Sequence, residues 1–271
     1  MRKFEGYISS AANPRVKEWA KLLERKYRDR EGKFLLEGVH LVKEALDAEW
    51  PLEAVGFDEG SGVLDAFEEY LDGEQKDGPS WIPVSPDIIL KCSETGTPQP
   101  IFAVALKRPP AKEFLFTAEK GGIVAVLDGV QDPGNVGTIV RSAAASGASA
   151  VILGKGTVDL YNPKTIRSTM GALFHVPVLE ADLSAILPEA SAEGIALVGT
   201  SLQAAQSCYD YDFRCGNVWL VFGNEGSGVS DQVAALVDAN VTIPMSGRAE
   251  SLNVAMAATV LLFEAQRQRA L

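Results

Sequence analysis

The sequence is short of the residues that build metal clusters and disulfide frameworks. It holds three cysteines, Cys92, Cys208 and Cys215, and two histidines, His40 and His175, in 271 residues. The cysteine count is odd and the spacing fits no metal-ligand pattern, so no metal site is expected. The cysteines read as reduced packing residues of a cytosolic protein. His175, between Phe174 and Val176, also reads as a packing residue. No run approaches the ~18 consecutive apolar residues of a membrane helix. The opening Met-Arg-Lys-Phe-Glu-Gly lacks the apolar core of a secretory signal, so a cytoplasmic protein is expected. The sequence shows no internal repeat and no low-complexity run.

Positive charge is scarce as well, and it is unevenly placed. The net charge is −11, yet residues 1–33 hold ten Lys or Arg against five Asp or Glu. An acidic body with a basic arm fits a small, localised contact with nucleic acid rather than broad electrostatic capture. Asn13-Pro14 reads as a helix start, with Asn as cap and Pro at the first helical position. Val16, Trp19, Ala20, Leu23 and Tyr27 then follow one helical face. Arg15, Lys17, Lys21, Arg25 and Arg28 form either a solvated surface or an RNA-contacting one.

Apolar content of 46% is enough for a substantial core. Short strands are expected at 34–38, 52–57 and 101–106, and helices at 39–48 and 63–71, with a polar loop at 72–80. Together these make a small N-terminal αβ domain, residues 1–108. Residues 109–120 follow as a linker, with the paired prolines of Lys107-Arg-Pro-Pro-Ala-Lys-Glu113 favouring an extended spacer. In residues 121–271, strands at 123–127, 151–153, 195–200, 218–222 and 241–243 alternate with helical stretches. That alternation predicts an α/β fold with a parallel sheet.

Three segments place polar residues and glycines just past a strand, where open α/β sheets bind ligands. In the first, Leu127 to Arg141, a helix is expected to start near Asn135 and end at Gly147. Asn135 is either a helix cap or a functional group. Arg141 is the only charge on this small-residue helix, and it either pairs with Asp128 or Asp132 or serves chemistry. The second is Phe222-Gly223-Asn224-Glu225-Gly226-Ser227-Gly228, whose glycine order is neither that of a dinucleotide fold nor that of a P-loop. The third runs from Ile243-Pro244-Met245 through Ser251-Leu252-Asn253 into an apolar helix reaching about Gln266. Ser251 either caps that helix or presents its hydroxyl to a substrate.

Taken together, these segments resemble the SpoU, or TrmH-type, branch of the SPOUT RNA methyltransferases. The resemblance rests on Asn135, Gly137 and Arg141, on Phe222 to Gly228, and on Ile243-Pro244-Met245 with Ser251-Leu252-Asn253. Tyr161-Asn-Pro-Lys164 and Arg167 to Pro177 extend it, and it covers about residues 121–271. One departure is Ala249, where many relatives carry serine. The weaker N-terminal match rests on Ile8-Ser, Asn13, Lys17 and Glu37-Gly38.

The resemblance implies transfer of a methyl group from S-adenosylmethionine to a ribose 2′-hydroxyl, most simply in large-subunit ribosomal RNA. It implies a C-terminal SPOUT domain with a deep trefoil knot, a homodimer, and an N-terminal domain similar to RNA-binding ribosomal proteins. Arg141, Asn135, Glu225, Ser251 and Asn253 are the implied catalytic residues. Thr200, Ser201, Leu202, Gly223, Asn224, Gly226, Ile243, Pro244, Met245 and Leu252 are the implied cofactor-binding residues. Arg167 joins the basic N-terminal residues as an RNA contact or a support for the cofactor loop. A guanidinium is almost never deprotonated, so Arg141 is expected to stabilise a phosphate or a developing alkoxide rather than to take the proton. The alternatives are a transfer RNA methyltransferase, a non-catalytic ribosome-assembly factor on the same fold, and a small-molecule nucleotide enzyme.

Overall fold

A computed structural model describes residues 4–71, 78–117, 122–247 and 250–270. Ala249, residues 118–120 of the expected linker and most of the expected 72–80 loop lie outside the described residues. The N-terminal elements are α1 (Pro14–Lys21), α2 (Arg25–Glu31), β1 (Lys33–Glu37), α3 (Val39–Asp47) and β2 (Leu52–Phe57). A 3₁₀ turn (Val63–Phe67) leads into α4 (Glu68–Leu71), then β3 (Ser80–Pro83), α5 (Pro86–Lys91) and β4 (Ile101–Leu106). Next come α6 (Phe114–Thr117), β5 (Ile123–Asp128), α7 (Pro133–Ala145), β6 (Ala150–Leu153), α8 (Pro163–Thr169) and β7 (Val178–Glu180). The remainder is α9 (Leu183–Ala192), β8 (Ala196–Thr200), β9 (Gln206–Ser207), β10 (Val218–Gly223), α10 (Asp231–Ala234), β11 (Ala239–Thr242) and α11 (Val254–Arg269).

The chain divides into two compact units. The first is Met1–Arg108 with Tyr161–Phe174, and the second is Pro109–Leu160 with His175–Leu271. The inclusion of 161–174 in the first unit differs from the expected boundary. Its cause is packing: the Tyr161 ring lies 4.7 Å from Phe34, and Phe174 lies 5.3 Å from Trp50. Arg167 adds ion pairs to Glu37 at 3.3 Å and Glu94 at 2.9 Å. None of this is visible in local periodicity, because the partners are far apart in sequence.

The first unit carries a sheet in the order β1-β4-β2-β3, with β3 parallel to β2 and the other pairs antiparallel. Its N-terminal helix breaks where sequence periodicity predicts continuity to Tyr27. α1 ends at Lys21, and α2 starts afresh at Arg25. Arg28 holds the corner between them. It is buried, at 2% exposure, and donates to the carbonyls of Leu22 at 2.9 Å and Leu23 at 2.7 Å. The side chain placed by sequence on an RNA-contacting surface is therefore a structural strut. Trp19 packs edge-on against Phe102, within a core of Val16, Leu22, Leu35, Ile82 and Ile88.

The second unit is built on a sheet in the order β7-β6-β5-β10-β8-β11-β9, with every pair parallel. β5 and β10 are buried along their whole length, as a parallel sheet covered on both faces requires. β7 and β9 are short strands absent from the sequence reading. α11 runs to Arg269, past the expected end, and packs beside α7, with Ser142 Oγ 2.6 Å from Thr259 Oγ1. Two expected packing residues are not packed. Cys215 and His175 are both exposed, whereas Cys92 and Cys208 are buried. Burial pushes the Cys92 thiol up to about 12, which keeps it protonated and inert. Among the described residues no helix is long and apolar enough to cross a membrane.

Candidate active site

The parallel register brings four strand ends to one edge of the sheet. Gly223, the last residue of β10, lies opposite Asp128, the last of β5. Val221 lies opposite Gly199 of β8, and Thr200 opposite Val241 of β11. A cavity of about 740 Å³ opens at these ends. Its walls include Thr200, Ser201, Leu202, Gly223, Asn224, Gly226, Ile243, Met245 and Leu252 from the expected cofactor set. Pro244 is exposed and does not line it. Glu225, Ser251 and Asn253 from the expected catalytic set also line the cavity.

The loop after β10 is held by its own hydrogen bonds. The backbone of Asn224 exchanges two 2.9 Å bonds with Gly228. Asn224 Oδ1 accepts from the N–H groups of Gly226 at 2.9 Å and Ser227 at 3.1 Å. Its Nδ2 donates to the Gly129 carbonyl at 2.8 Å, tying this loop to the one after β5. Gly223 admits no side chain, because a Cβ there would lie 2.1 Å from backbone atoms of Gly228 and Val229.

The helix that carries Arg141 starts earlier than the sequence reading placed it. Asp132, not Asn135, is the N-cap of α7: its Oδ1 accepts from the Asn135 N–H at 2.9 Å, and Pro133 occupies the first turn. The Asn135 side chain is thereby released for other contacts. Its Nδ2 donates to Glu225 Oε1 at 2.9 Å, and its Oδ1 accepts from Asn253 Nδ2, also at 2.9 Å. Asn253 in turn caps α11, accepting from the N–H groups of Ala255 at 2.9 Å and Met256 at 3.3 Å. The cap role weighed for Ser251 therefore falls to Asn253, and Ser251 stays exposed at the cavity wall.

Glu225 accepts two further bonds, from the N–H groups of Gln131 at 3.3 Å and Asp132 at 3.2 Å. Partial burial works against its ionisation. The donors from Asn135, its own backbone, Asp132 and Gln131 outweigh that effect and hold the carboxyl below its ordinary range. A carboxylate so satisfied orients its neighbours; it is a poor proton acceptor at neutral pH. Arg141 is exposed on α7 and forms no ion pair with any described residue. Asp128, one of its two weighed partners, instead accepts from the Ser230 N–H at 2.7 Å.

Sequence reasoning missed Gln131 and Asp132, whose N–H groups fix Glu225. Asp132 was legible, since an acid followed by proline is a strong helix-start signal. Ser227, within the Phe222 to Gly228 run, also lines the cavity, as do Gln203 and Asn240, which no sequence signal marks.

In the first unit the basic residues divide. Arg15 pairs with Glu5 and stacks 5.4 Å from the Trp19 ring, and Arg25 pairs with Asp29 at 3.5 Å. Lys17 and Lys21 are exposed. Arg167 is engaged by Glu37 and Glu94.

Comparison with known proteins places the chain in a family. The sequence model of the SpoU rRNA Methylase family matches residues 122–263, and that of the MRM3-like substrate binding domain matches residues 13–103. The 23S rRNA (guanosine(2553)-2′-O)-methyltransferase RlmP of Bacillus subtilis (strain 168) is 40% identical over 256 residues, covering 94% of this chain and 97% of its own length. The 23S rRNA (uridine(2479)-2′-O)-methyltransferase of Streptomyces viridochromogenes is 32% identical, covering 96% of this chain and 92% of its own. The crystal structure of the SpoU methyltransferase AviRb from Streptomyces viridochromogenes in complex with the cofactor AdoMet superposes with a TM-score of 0.86 at 32% identity, over 95% of this chain and 98% of that one. The seven-stranded parallel sheet, the cavity at its strand ends and these matches agree, and the chain belongs to the SpoU rRNA methylase family.

Proposed function

We propose that the protein transfers the methyl group of S-adenosylmethionine to a ribose 2′-hydroxyl of large-subunit ribosomal RNA. The observation that carries this reading is the Glu225–Asn135–Asn253 hydrogen-bond chain at the rim of the strand-end cavity, with Arg141, which forms no ion pair with any described residue, on the same helix as Asn135. The cavity suits the cofactor. Its volume of about 740 Å³ lies within the range of small-molecule sites, and Leu202, Ile243, Met245 and Leu252 supply apolar walls beside strand-end backbone groups.

When bound, S-adenosylmethionine supplies an electrophilic methyl group. The reaction forms a carbon–oxygen bond at the 2′-oxygen, breaks the carbon–sulfur bond of the cofactor, and releases the hydroxyl proton. Thr200, Ser201, Leu202, Gly223, Gly226, Ile243, Met245 and Leu252 hold the adenosine end, while Asn224 and Pro244 shape the loops. Glu225 holds Asn135, and Asn135 and Asn253 set the mouth of the site. The Arg141 guanidinium stabilises charge developing on the 2′-oxygen or an adjacent phosphate. The Ser251 hydroxyl lies at the cavity wall, placed to meet the ribose.

The same reading assigns RNA binding to the first unit, as a domain similar to RNA-binding ribosomal proteins, and chemistry to the second. It includes a deep trefoil knot threaded by α11, a homodimer formed through the C-terminal unit, and a cytoplasmic location. Met256 and Phe263, exposed on α11, support a protein partner there. The test is incubation with radiolabelled S-adenosylmethionine and unmodified total RNA, followed by mapping of the labelled nucleotide. Label on a ribose 2′-oxygen of 23S ribosomal RNA is the expected result. Cofactor binding without any label would overturn the reading.

A further inference from the structure

The α1–α2 corner gathers cations around one aromatic ring. Lys21 Nζ lies 5.4 Å from the Tyr27 ring centroid, Lys26 Nζ 4.7 Å and the Arg30 guanidinium carbon 4.9 Å. Lys17 sits one turn before Lys21 on the same face of α1. Lys17, Lys21, Lys26 and Arg30 are all exposed, and Tyr27 is half-buried. Arg28 makes this geometry rigid, because its bonds to the Leu22 and Leu23 carbonyls fix the turn that returns α2 toward Lys21.

Like charges held this close repel one another, and that repulsion needs an offset. The negative face of the Tyr27 ring supplies part of it. Lys26 and Arg30 also touch Glu24 and Glu31, their near neighbours in sequence, at 3.2 and 2.6 Å. Both pairs are more than two-fifths exposed on each side, so solvent screens them and they exchange readily. Other basic residues of this region are less open. Lys33 and Lys107 are 29% and 16% exposed and pair with Glu53 and Asp29, and Arg28 is buried.

We propose that Lys21, Lys26 and Arg30, arrayed about Tyr27, with Lys17 one turn before Lys21 on α1, form the phosphate-binding patch by which the first unit grips the backbone of its RNA. The inference rests on RNA as the substrate. The rest of the chain is strongly acidic, which confines favourable contact with a polyanion to a patch of this kind. Tyr27 acts as a positioning residue: its ring holds the cationic ends of Lys21, Lys26 and Arg30 around one centre.

The experiment uses the full chain and an unmodified 23S ribosomal RNA transcript. RNA affinity is measured against salt concentration, and methyl transfer is measured in parallel. The triple variant Lys21→Gln, Lys26→Gln and Arg30→Gln should flatten the slope of log K against log salt by about two units, with cofactor affinity unchanged. Tyr27→Phe should retain most of the binding, while Tyr27→Ala weakens it without altering the slope as strongly. Lys107→Gln, which removes a cation only 16% exposed and paired with Asp29 at 2.6 Å, should change the slope far less than any member of the patch. Unchanged affinity and slope in the triple variant, with wild-type methylation intact, would overturn the patch and leave the enzymatic reading standing. Absence of methylation by the wild type would instead overturn the reading on which the patch rests.

Discussion

Asn253 donates from its side chain to Asn135 at 2.9 Å across 118 positions of sequence, while its own oxygen caps the helix it begins. One amide thus links the start of α11 to the start of α7, and through Asn135 to Glu225. An amide can receive helix N–H groups on its oxygen while donating to a neighbour from its nitrogen.

Asn135 is the middle of that chain, and its replacement should break it at both ends. Asn135→Ala removes one donor from Glu225, which keeps the Gln131 and Asp132 N–H groups, and takes away the acceptor of Asn253 Nδ2, at a cost of about 1–3 kcal/mol. Single-turnover methylation should slow by roughly tenfold to a hundredfold at this cost. Asn135→Asp should be worse, since it sets a carboxylate against Glu225. Rates equal to wild type in both variants would remove the chain from the mechanism.

Arg141 forms no ion pair with described residues, so its loss disturbs little of the fold. Arg141→Ala should lower kcat on the order of 10²–10³-fold while cofactor affinity, read by calorimetric titration, stays near wild type. Arg141→Lys should recover only part of the loss, because a point charge does not reproduce the guanidinium fork. Near-normal turnover in the alanine variant would sink the assignment.

Gly223→Ala should collapse the cavity loop. A methyl group 2.1 Å from the Gly228 and Val229 backbone cannot be accommodated without moving the Asn224–Gly228 pairing. We expect a stability loss of about 1–3 kcal/mol in urea unfolding and loss of cofactor binding in titration. An unaltered cofactor isotherm would show that the loop does not form the site.

Glu225 gives the site an acid limit. Its carboxyl is held below the ordinary range, so its contribution to stability is fully present above the unfolded value, near the usual carboxylate range. That contribution disappears as pH falls through the folded value. Glu225→Gln should therefore lower stability at neutral pH and flatten its decline in acid, read from urea unfolding across pH. A variant curve parallel to wild type throughout would argue against the hydrogen-bonded carboxylate.

Deleting residues 1–108 should abolish RNA binding and spare cofactor binding. It also strips Tyr161, Arg167 and Phe174 of Phe34, Glu37, Glu94 and Trp50. Limited proteolysis should then cut newly within residues 161–174, a segment packed against Phe34, Glu37, Glu94 and Trp50 in the full chain. Equal loss of RNA and cofactor binding would refute the division of labour.

The local signals in the sequence determined the elements and the chemistry on offer. Apolar runs marked β5, β6 and β10, because a strand buried on both faces must be apolar along its length. Asn13-Pro14 marked the start of α1, because capping uses neighbouring residues only. The strand-end glycines and amides marked the loops that line the cavity, for the same reason. Periodicity has no means of reporting who pairs with whom. Only the tertiary structure decided that Asn135, left free by the local Asp132 cap, pairs with Glu225 and Asn253. Only packing placed Tyr161–Phe174 in the first unit and withdrew Arg28 from the surface to brace a helical corner. Burial and long-range hydrogen bonding are properties of the folded chain, and they separate a cation that can meet RNA from one that holds the protein together.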